Sequence, residues 1–356
     1  MSDNSKKWFY LAILSLIWGS SFILIKKGLV GLTSFQLASL RIIFAATVIF
    51  LYSYNSLKKI PRESWKWILI TAYTGTFFPV YLISYGQTEI ESGLASIITT
   101  ITPINTLLVG IIFFGLMYSK KQLLGLVIGL VGAILLIYDA SESNFSINIY
   151  YSFFIYMTTV GYAASVNLIK NYLTNISPEA VTAGIFISIS PPALIVLFLS
   201  DFSSLNFQDS NVISSIVFVF ILGVFSSAIA QTLFNKFVKI ASPLFASAVT
   251  YTMPIVAIFW AILDGETLTL MQFFATAIIL AGVCIWSIKR KNLIKKFVRN
   301  LLVNNNLVSF NYNCLRTCYN FSFKCKLNTI NFFVIGKLSN CFYLITHCCS
   351  SFLSHD

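Results

Sequence analysis

Charged residues are scarce in this sequence. They make up 10% of its 356 residues, whereas a soluble domain carries about 25%. Hydrophobic residues make up 57%, and a fold surrounded by water could not cover so much apolar surface. The scarcity of charge therefore excludes an ordinary water-soluble protein and predicts that a lipid bilayer is the solvent.

Histidine and cysteine are also scarce in the apolar part of the chain. Cys284 is the only cysteine before residue 300, and neither histidine lies there. Between residues 9 and 288 we find no nucleophile beside a base, no metal-ligand cluster and no phosphate-binding loop. These absences predict that the protein is not an enzyme and needs no cofactor and no metal.

Acidic residues are missing from the centres of the apolar runs. Proton-coupled carriers usually relay protons through a buried carboxylate. Here Glu89 and Glu91 stand at the ends of two runs, and Glu179 stands at the start of another. Either one of these side chains is drawn into the membrane, or transport is not strictly driven by protons.

The chain does contain ten apolar runs, each close to the roughly 20 residues that cross about 30 Å of hydrocarbon. In lipid the backbone must satisfy its hydrogen bonds within each segment, and the alternation typical of barrel strands is absent. We therefore predict an all-α integral membrane protein with ten transmembrane helices, at residues 9–29, 34–55, 65–86, 93–117, 121–138, 149–169, 178–199, 211–234, 243–263 and 269–288.

The second five runs repeat the first five. Ala95–Pro103 matches Ala246–Pro254 at an offset of 151 residues, and Trp18–Lys26 matches Tyr162–Lys170 at an offset of 144. An odd number of spans per unit inverts the second unit relative to the first, and such inverted repeats are typical of secondary transporters. We predict two five-helix repeats with a substrate site between them, at residues 9–138 and 149–288.

The net charge of +12 would suit a nucleic-acid partner, but its distribution argues against one. Basic residues gather at one end of the predicted spans and acidic residues at the other, as the positive-inside rule describes. Lys26 and Lys27 break this pattern, because they lie at the acidic end of the first span. We therefore predict a multi-pass protein of a cell (inner) membrane, with both termini in the cytoplasm and no nucleic-acid partner.

Residues 289–356 differ from the rest of the chain. Six of the eleven residues in 289–299 are Lys or Arg, with apolar residues between them, and this pattern predicts a basic amphipathic helix on anionic lipid. Residues 300–356 contain six cysteines and show no helical or strand periodicity. We interpret this cysteine-containing part as disordered or as an aberrant end of the chain.

Two prolines fall near the centres of their spans, at matching positions of the repeat. Pro103 and Pro254 each remove one backbone hydrogen bond and free a carbonyl group. Threonines surround both prolines, so the freed groups either line a polar cavity, as in the interrupted helices of transporters, or bond to a neighbouring helix. We predict that both prolines are flex points beside a cavity.

Arg41 lies about a third of the way into the second span. A charge there costs at least about 2.5–3.5 kcal/mol on insertion scales, so the side chain should face the bundle or a wet cavity. It is either an anchor for a substrate carboxylate or phosphate, or a bridge to backbone carbonyls. Four further charges lie at span ends, where they snorkel or take part in coupling: Lys26, Lys170, Glu89 and Glu266.

Aromatic and uncharged polar side chains complete the predicted pathway. Trp18 lies in mid-span, whereas tryptophan usually lies at the membrane interface, and rings of this kind either hold a cation over their faces or simply pack. The residues that we predict to line the substrate pathway are Trp18, Ser21, Arg41, Tyr81, Tyr85, Thr99, Asn105, Tyr162, Asn167, Gln231 and Tyr251.

The order of these motifs resembles the EamA-type family of the drug/metabolite transporter superfamily. Its opening Trp-x-Ser pattern and following Lys resemble Trp18, Ser20 and Lys26, and its Leu-Arg pair resembles Leu40-Arg41. The connection Gly265-Glu266-Thr267-Leu268-Thr269 is the closest match. Two features depart from the family: Gly115-Leu-Met-Tyr replaces the Gly-Glu expected in the first half, and the tail has no counterpart.

The resemblance implies a ten-helix bundle with a central pathway, alternating access by rocking of two halves, and often export of amino acids or related metabolites. We predict a secondary transporter that exports small, amino-acid-like solutes. Proton-coupled efflux of lipophilic cations or drugs is the alternative, although Arg41 argues against it. A lipid enzyme or a receptor is less consistent with the inverted repeat, and the sequence specifies no oligomeric state.

Overall fold

The computed structural model describes residues 3–116 and 149–265, together with residues 120, 123–125, 127–132, 135, 271, 274, 275, 277, 278, 281 and 282. Within these residues the chain is helical and forms no strand. Eight helices are long and apolar enough to cross a membrane. With a shorter apolar helix numbered as α5, the helices are α1 (Asp3–Gly28), α2 (Ser34–Leu57), α3 (Arg62–Gly86), α4 (Ser92–Phe114), α5 (Leu123–Gly132), α6 (Ile149–Tyr172), α7 (Pro178–Leu199), α8 (Ser210–Ile240) and α9 (Pro243–Leu263).

The eight long helices correspond to eight of the ten predicted spans. The predicted span 121–138 is described only in part, the span 269–288 lies largely outside the described residues, and the tail 289–356 lies wholly outside them. α8 extends beyond its predicted span of 211–234. Lys236 and Lys239 end the apolar run there, but both still lie within the helix.

Polar caps determine where several helices begin. The hydroxyl of Thr33 accepts a hydrogen bond from the backbone N–H of Gln36, whose side-chain oxygen accepts one from the N–H of Thr33, so α2 begins with a complete capping box. Ser177 caps α7 in a similar way, through the N–H of Ala180. Thr33 and Ser177 are 144 residues apart, which is the offset of the sequence repeat.

Four of the long helices are irregular near their middles. α3 contains a π-helical segment at Tyr73–Phe77, and α8 contains one at Leu222–Ile229. α4 tightens into a 3₁₀ turn at Thr99–Ile101, and α9 is interrupted at Ala248. Each half of the chain therefore has one π-helical segment followed, in the next helix, by one break.

The two prolines stand just after the breaks in α4 and α9. Pro103 is in the first turn of the helical segment that follows the 3₁₀ turn, and Pro254 lies inside Val249–Leu263. A proline ring crowds the carbonyl of the fourth residue before it, which is Thr99 for Pro103 and Thr250 for Pro254. Thr99 lies within the 3₁₀ turn, where the backbone departs from α-helical geometry, whereas Thr250 lies in the α-helical segment two residues after the interruption at Ala248.

Contacts between the helices repeat in the two halves. α2 makes its most extensive contacts with α7, its counterpart in the repeat. α1 packs on α9 as α6 packs on α4, and α1 also packs on α8 as α6 packs on α3. This pattern is the one expected when a pseudo-two-fold axis exchanges the first half with the second.

Glycines bring several of these helices close together. A Cβ atom on Gly161 of α6 would collide with the carbonyl oxygen of Thr74 in the π-helical segment of α3. One on Gly282 would lie 2.6 Å from the backbone nitrogen of Gly129. Small residues allow this approach in membrane bundles.

Opposite charges meet at the ends of the helices. Asp264, just after α9, pairs with Lys26 at 3.1 Å and with Lys27 at 2.5 Å. These contacts explain why the two lysines can lie among acidic residues. Lys170, at the end of α6, donates to the carbonyl oxygens of Val238 and Lys239 at 3.0 Å each, where the helix dipole favours a cation.

We expect the Asp264 ion pairs to give a small, pH-dependent stabilisation. The ammonium of Lys27, together with that of Lys26, holds the pKa of the Asp264 carboxyl below its ordinary value of 3.8. A carboxyl whose folded pKa is lowered stabilises the protein above its unfolded pKa and loses this contribution as the pH falls through the folded value. Because the pairs are at the surface, Asp264→Asn should lower the free energy of unfolding by less than about 1 kcal/mol at pH 7.

Thermal unfolding in detergent at pH 7 and at pH 3 would measure this effect. The difference between Asp264→Asn and the parent protein should be present at pH 7 and shrink at pH 3. Asp201→Asn is the control, because Asp201 is exposed and forms no ion pair with the described residues. An equal difference at both pH values would contradict the prediction.

Candidate functional site

A central cavity lies where the irregular parts of the four interrupted helices meet. It encloses about 950 Å³ of empty space, including the space at its opening. Gly75 and Thr76 come from the π-helical segment of α3, and Ser226 and Ser227 come from that of α8. Backbone that departs from α-helical geometry at membrane depth is tolerated where it lines a cavity. The position of the cavity therefore accounts for the irregular segments of these helices.

Arg41 is the charged residue of the cavity wall among the residues described. Its side chain is 8% exposed and donates from Nε to Ser227 Oγ at 2.8 Å and from a terminal nitrogen to Ser226 Oγ at 3.1 Å. Arginine has five N–H donors, and no carboxylate of the described chain forms an ion pair with this one. The guanidinium is therefore buried, partly bonded and not neutralised by those residues.

Residues of α1 and α6 surround the arginine. The hydroxyl of Ser21 donates to Ser226 Oγ at 2.8 Å, and Trp18 Nε1 donates to the carbonyl oxygen of Ser226 at 3.0 Å. Tyr162 of α6 lines the same cavity as Arg41. These bonds connect the first half of the chain to α8 and fix the position of the guanidinium.

The cavity is symmetric in most of its residues. Trp18 and Tyr162, Ser21 and Ser165, and Thr99 and Thr250 are pairs related by the repeat offsets, and all six residues line it. Arg41 is an exception, because the residue of α7 at the same offset of 144 is Ile185, which is fully buried and does not line the cavity. The cavity therefore carries a positive charge on one side of its pseudo-symmetry and no charge at the related position.

The structure places six of the eleven predicted pathway residues on the cavity wall: Trp18, Ser21, Arg41, Thr99, Tyr162 and Gln231. The other five lie elsewhere. Tyr81 shares a hydrogen bond with Ser39 at 2.7 Å, and the ring of Tyr85 stands edge-on to that of Phe154 at 5.1 Å.

The remaining three pathway residues lie between helices, away from the cavity. Asn105 donates to Thr159 Oγ1 at 2.7 Å, and Asn167 donates to the carbonyl oxygen of Thr106 at 3.0 Å, so both asparagines connect α4 to α6. Tyr251 is 3% exposed and packs beside Gly129. The amide nitrogens of both asparagines are thus bonded inside the bundle, whereas the buried side-chain oxygen of Asn167 forms no hydrogen bond with the described residues.

Three of the four predicted end-of-helix charges, Lys26, Lys170 and Glu89, are not part of the cavity wall. Lys26 and Lys170 form the contacts described above, and Glu89 is exposed after α3. Glu266 lies outside the described residues. Within the described part of the chain no group of His, Cys, Asp and Glu side chains could hold a metal ion.

Several residues of the cavity wall were not among the predicted pathway residues. Ser165 could have been found by its repeat partner Ser21. Ser226, Ser227 and Thr76 lie in π-helical segments, where the 3.6-residue period no longer indicates which face a side chain occupies. The sequence pattern alone therefore gives little sign of them.

A smaller crevice of about 340 Å³ lies between α2 and α7, beside the central cavity. Phe50 and Tyr54, which are about half exposed, form part of its wall. Phe186 is 1% exposed and lines both the crevice and the central cavity. The ring of Phe186 is thus part of the partition between the two spaces.

Comparison with known proteins adds to this geometry. The model of the EamA-like transporter family matches residues 6–138 and 149–288. An uncharacterised transporter of Archaeoglobus fulgidus is 28% identical over 290 residues, covering 80% of this chain and 100% of that protein. The uncharacterised inner membrane transporter YedA of Escherichia coli K12 is 25% identical over 283 residues, covering 77% of this chain and 88% of YedA.

A relative with a more specific description is the probable amino-acid metabolite efflux pump of Salmonella typhimurium. It is 25% identical over 295 residues, which cover 79% of this chain and 95% of that protein. A solved crystal structure covers 83% of this chain with a TM-score of 0.62 and 16% identity, and it covers 99% of its own chain. At that identity the likeness concerns the fold alone.

Proposed function

Because the chain belongs to the EamA-like transporter family, as its motifs indicated, we propose that it carries small, amino-acid-like organic metabolites across the inner membrane. The observation that carries the proposal is the unneutralised guanidinium of Arg41 in the central cavity. A carboxylate bound there would form charge-assisted hydrogen bonds, which are roughly twice as strong as neutral ones.

The cost of burying Arg41 supports this reading. An arginine this far inside a transmembrane helix costs at least about 2.5–3.5 kcal/mol on insertion scales, and two serine hydroxyls offset only part of a full charge. An anionic solute would neutralise the guanidinium in the loaded state. The neighbouring rings of Trp18 and Tyr162 would then contact the apolar part of the same solute.

Transport would proceed by alternating access of two inverted five-helix repeats, 9–138 and 149–288, in a ten-helix bundle. The repeated contacts between α1 and α9 and between α6 and α4 support rocking of one half against the other. Pro103 and Pro254 would be the flex points, because each follows an interruption of its helix. Spans 121–138 and 269–288 would not line the pathway and would pack against the outside of the other eight helices.

The direction and orientation belong to the same proposal. Export is supported by the description of the Salmonella relative as a probable efflux pump. The charge distribution supports both termini in the cytoplasm, and the basic segment 289–299 would lie on anionic lipid of the inner leaflet.

Proteoliposomes offer a direct test of the proposed function. We would measure uptake and efflux of amino acids, purine bases and a quaternary ammonium dye, with and without an imposed pH gradient. Saturable amino-acid flux that does not depend on the gradient is the expected result. Dye flux that collapses together with the gradient would contradict it and would favour proton-coupled efflux of cations.

A further inference from the structure

The crevice between α2 and α7 has a wall that is almost entirely apolar. Among the described residues of this wall, only Tyr54 and Ser190 carry a polar group in their side chains. The hydroxyl of Ser190 already donates to the carbonyl oxygen of Ile187 at 3.4 Å. A buried water needs roughly two to four polar partners, so the crevice suits an apolar occupant better than water or a polar solute.

The crevice opens on the lipid-facing surface of the bundle. Phe50 and Tyr54, at its rim, are about half exposed. Beside them on α2, Leu51 is 84% exposed, and on α7 Leu194 is 53% exposed. Because large apolar side chains cover the outer surface of both helices, the space outside the crevice is hydrocarbon.

The length of the crevice matches one leaflet of a bilayer. Its wall on α2 extends from Ala46 to Leu57, which are 11 residues apart, and so it covers about 16 Å along the helix axis. Half of the hydrocarbon core is about 15 Å thick. Leu57 is the last residue of α2. The crevice therefore extends from the end of the helix to about the middle of the membrane, which is the depth that one acyl chain reaches.

Two lysines stand at the end of the crevice. Lys58 and Lys59 directly follow Leu57, are exposed, and form no ion pair with the described residues. In the orientation proposed above, this end of α2 lies at the inner leaflet. Each lysine near such a surface favours anionic lipid by roughly fivefold. The apolar groove thus ends at a cationic patch, as a phospholipid with an anionic headgroup would require.

We propose that the crevice is a binding site for one anionic phospholipid of the inner leaflet, with an acyl chain between α2 and α7 and the phosphate at Lys58 and Lys59. The chain would pack against Ile49 and against Phe186, whose ring also lines the central cavity. The lipid would therefore support one wall of the central cavity from the membrane side. This site depends on the proposed orientation but not on which solute is carried.

Native mass spectrometry of the full-length protein tests the acyl-chain part of the site. The protein in detergent would be titrated with dioleoylphosphatidylglycerol and, separately, with dioleoylphosphatidylethanolamine. Ala46→Leu fills part of the crevice. Ala12→Leu is the matched control, because Ala12 is exposed on α1 and does not line the crevice. The basic segment 289–299 is the same in both variants, so lipid bound there does not distinguish them.

A second pair of variants tests the headgroup part. Lys58→Gln combined with Lys59→Gln removes the two charges at the end of the crevice. Lys6→Gln combined with Lys120→Gln is the control, because it removes the same charge from two other exposed lysines. All four positions are exposed, so these variants remain informative if Ala46→Leu does not fold.

The parent protein should bind one phosphatidylglycerol at least about fivefold more tightly than phosphatidylethanolamine. Ala46→Leu should weaken this binding about fivefold, as expected for the loss of roughly ten atom contacts, and should keep the parent melting temperature because it fills empty space. The variant without Lys58 and Lys59 should lose the preference for phosphatidylglycerol. Both controls should bind lipid like the parent protein.

Several results would overturn the site. They are equal lipid binding by Ala46→Leu and Ala12→Leu, an equal loss of preference in the two lysine variants, or a parent protein that binds both lipids alike. A dimer that Ala46→Leu dissociates would also overturn it, because a second copy of the chain would then cover the crevice. None of these measurements involves transport, so failure of the lipid site and failure of the proposed function are distinguishable.

Discussion

Arg41→Ala is expected to raise the KM for a carboxylate substrate by at least about tenfold, because hydrogen bonds to charged groups contribute about 1.5–3 kcal/mol. Transport of an uncharged solute should change much less. Arg41→Lys should fall between the parent protein and Arg41→Ala, because a single ammonium cannot bond both serines and the carboxylate with the geometry of a guanidinium fork. The measurement is concentration-dependent flux in proteoliposomes.

Arg41→Ala should fold well enough for this measurement. The change removes a buried charge from a transmembrane helix, so the cost of inserting that helix falls. Arg62→Ala is the control, because Arg62 is an exposed arginine at the start of α3. If Arg41→Ala keeps the parent KM for carboxylates, Arg41 is a structural bridge to Ser226 and Ser227 and does not bind substrate.

Of the substitutions discussed in this article, Phe186→Ala is expected to cause the largest decrease in the free energy of unfolding. Lipid is as apolar as the bundle interior, so the loss comes mainly from missing packing contacts. Cavity formation costs about 24 cal/mol per Å³, and a cavity on the order of 100 Å³ therefore lowers the free energy of unfolding by about 2 kcal/mol. The truncation should also join the central cavity to the crevice between α2 and α7, so that bulkier solutes inhibit transport better.

Phe198→Ala provides a matched control for the Phe186 prediction. Both phenylalanines are on α7, but Phe198 is 84% exposed and Phe186 is 1% exposed. Thermal unfolding in detergent should show a clear loss for Phe186→Ala and almost none for Phe198→Ala. Equal losses would mean that Phe186 does not fill a tightly packed partition.

The positions of the helices could be predicted from the sequence because the lipid constraint is strong. Twenty apolar residues in lipid can satisfy their backbone only as a helix, and caps such as Thr33 and Ser177 are local signals. The repeat also indicated cavity residues in pairs, such as Trp18 and Tyr162. The apolar runs and the caps are local signals, and the repeat is found by comparing two short stretches of the chain.

The partners of polar side chains could not be predicted in the same way. Arg41 bonds to residues 185 and 186 positions away, and nothing near it in sequence indicates them. Asn105 and Asn167 have the same chemistry as cavity residues, yet they connect α4 to α6. A polar residue in a membrane helix serves either purpose, and only the packing of the bundle distinguishes them.

The paired π-helical segments have a consequence for the history of the chain. A π-helical turn closes i→i+5 hydrogen bonds and so holds one residue more than an α-helical turn. Tyr73 and Leu222, which begin the two segments, are 149 residues apart, between the offsets of 144 and 151 found on either side. The simplest order of events is that one extra residue entered an ancestral half-length gene, and that duplication then copied it. The position equivalent to Arg41 in the second half is Ile185. The arginine would then be a later difference between the halves, which gave the central cavity a charge on one side.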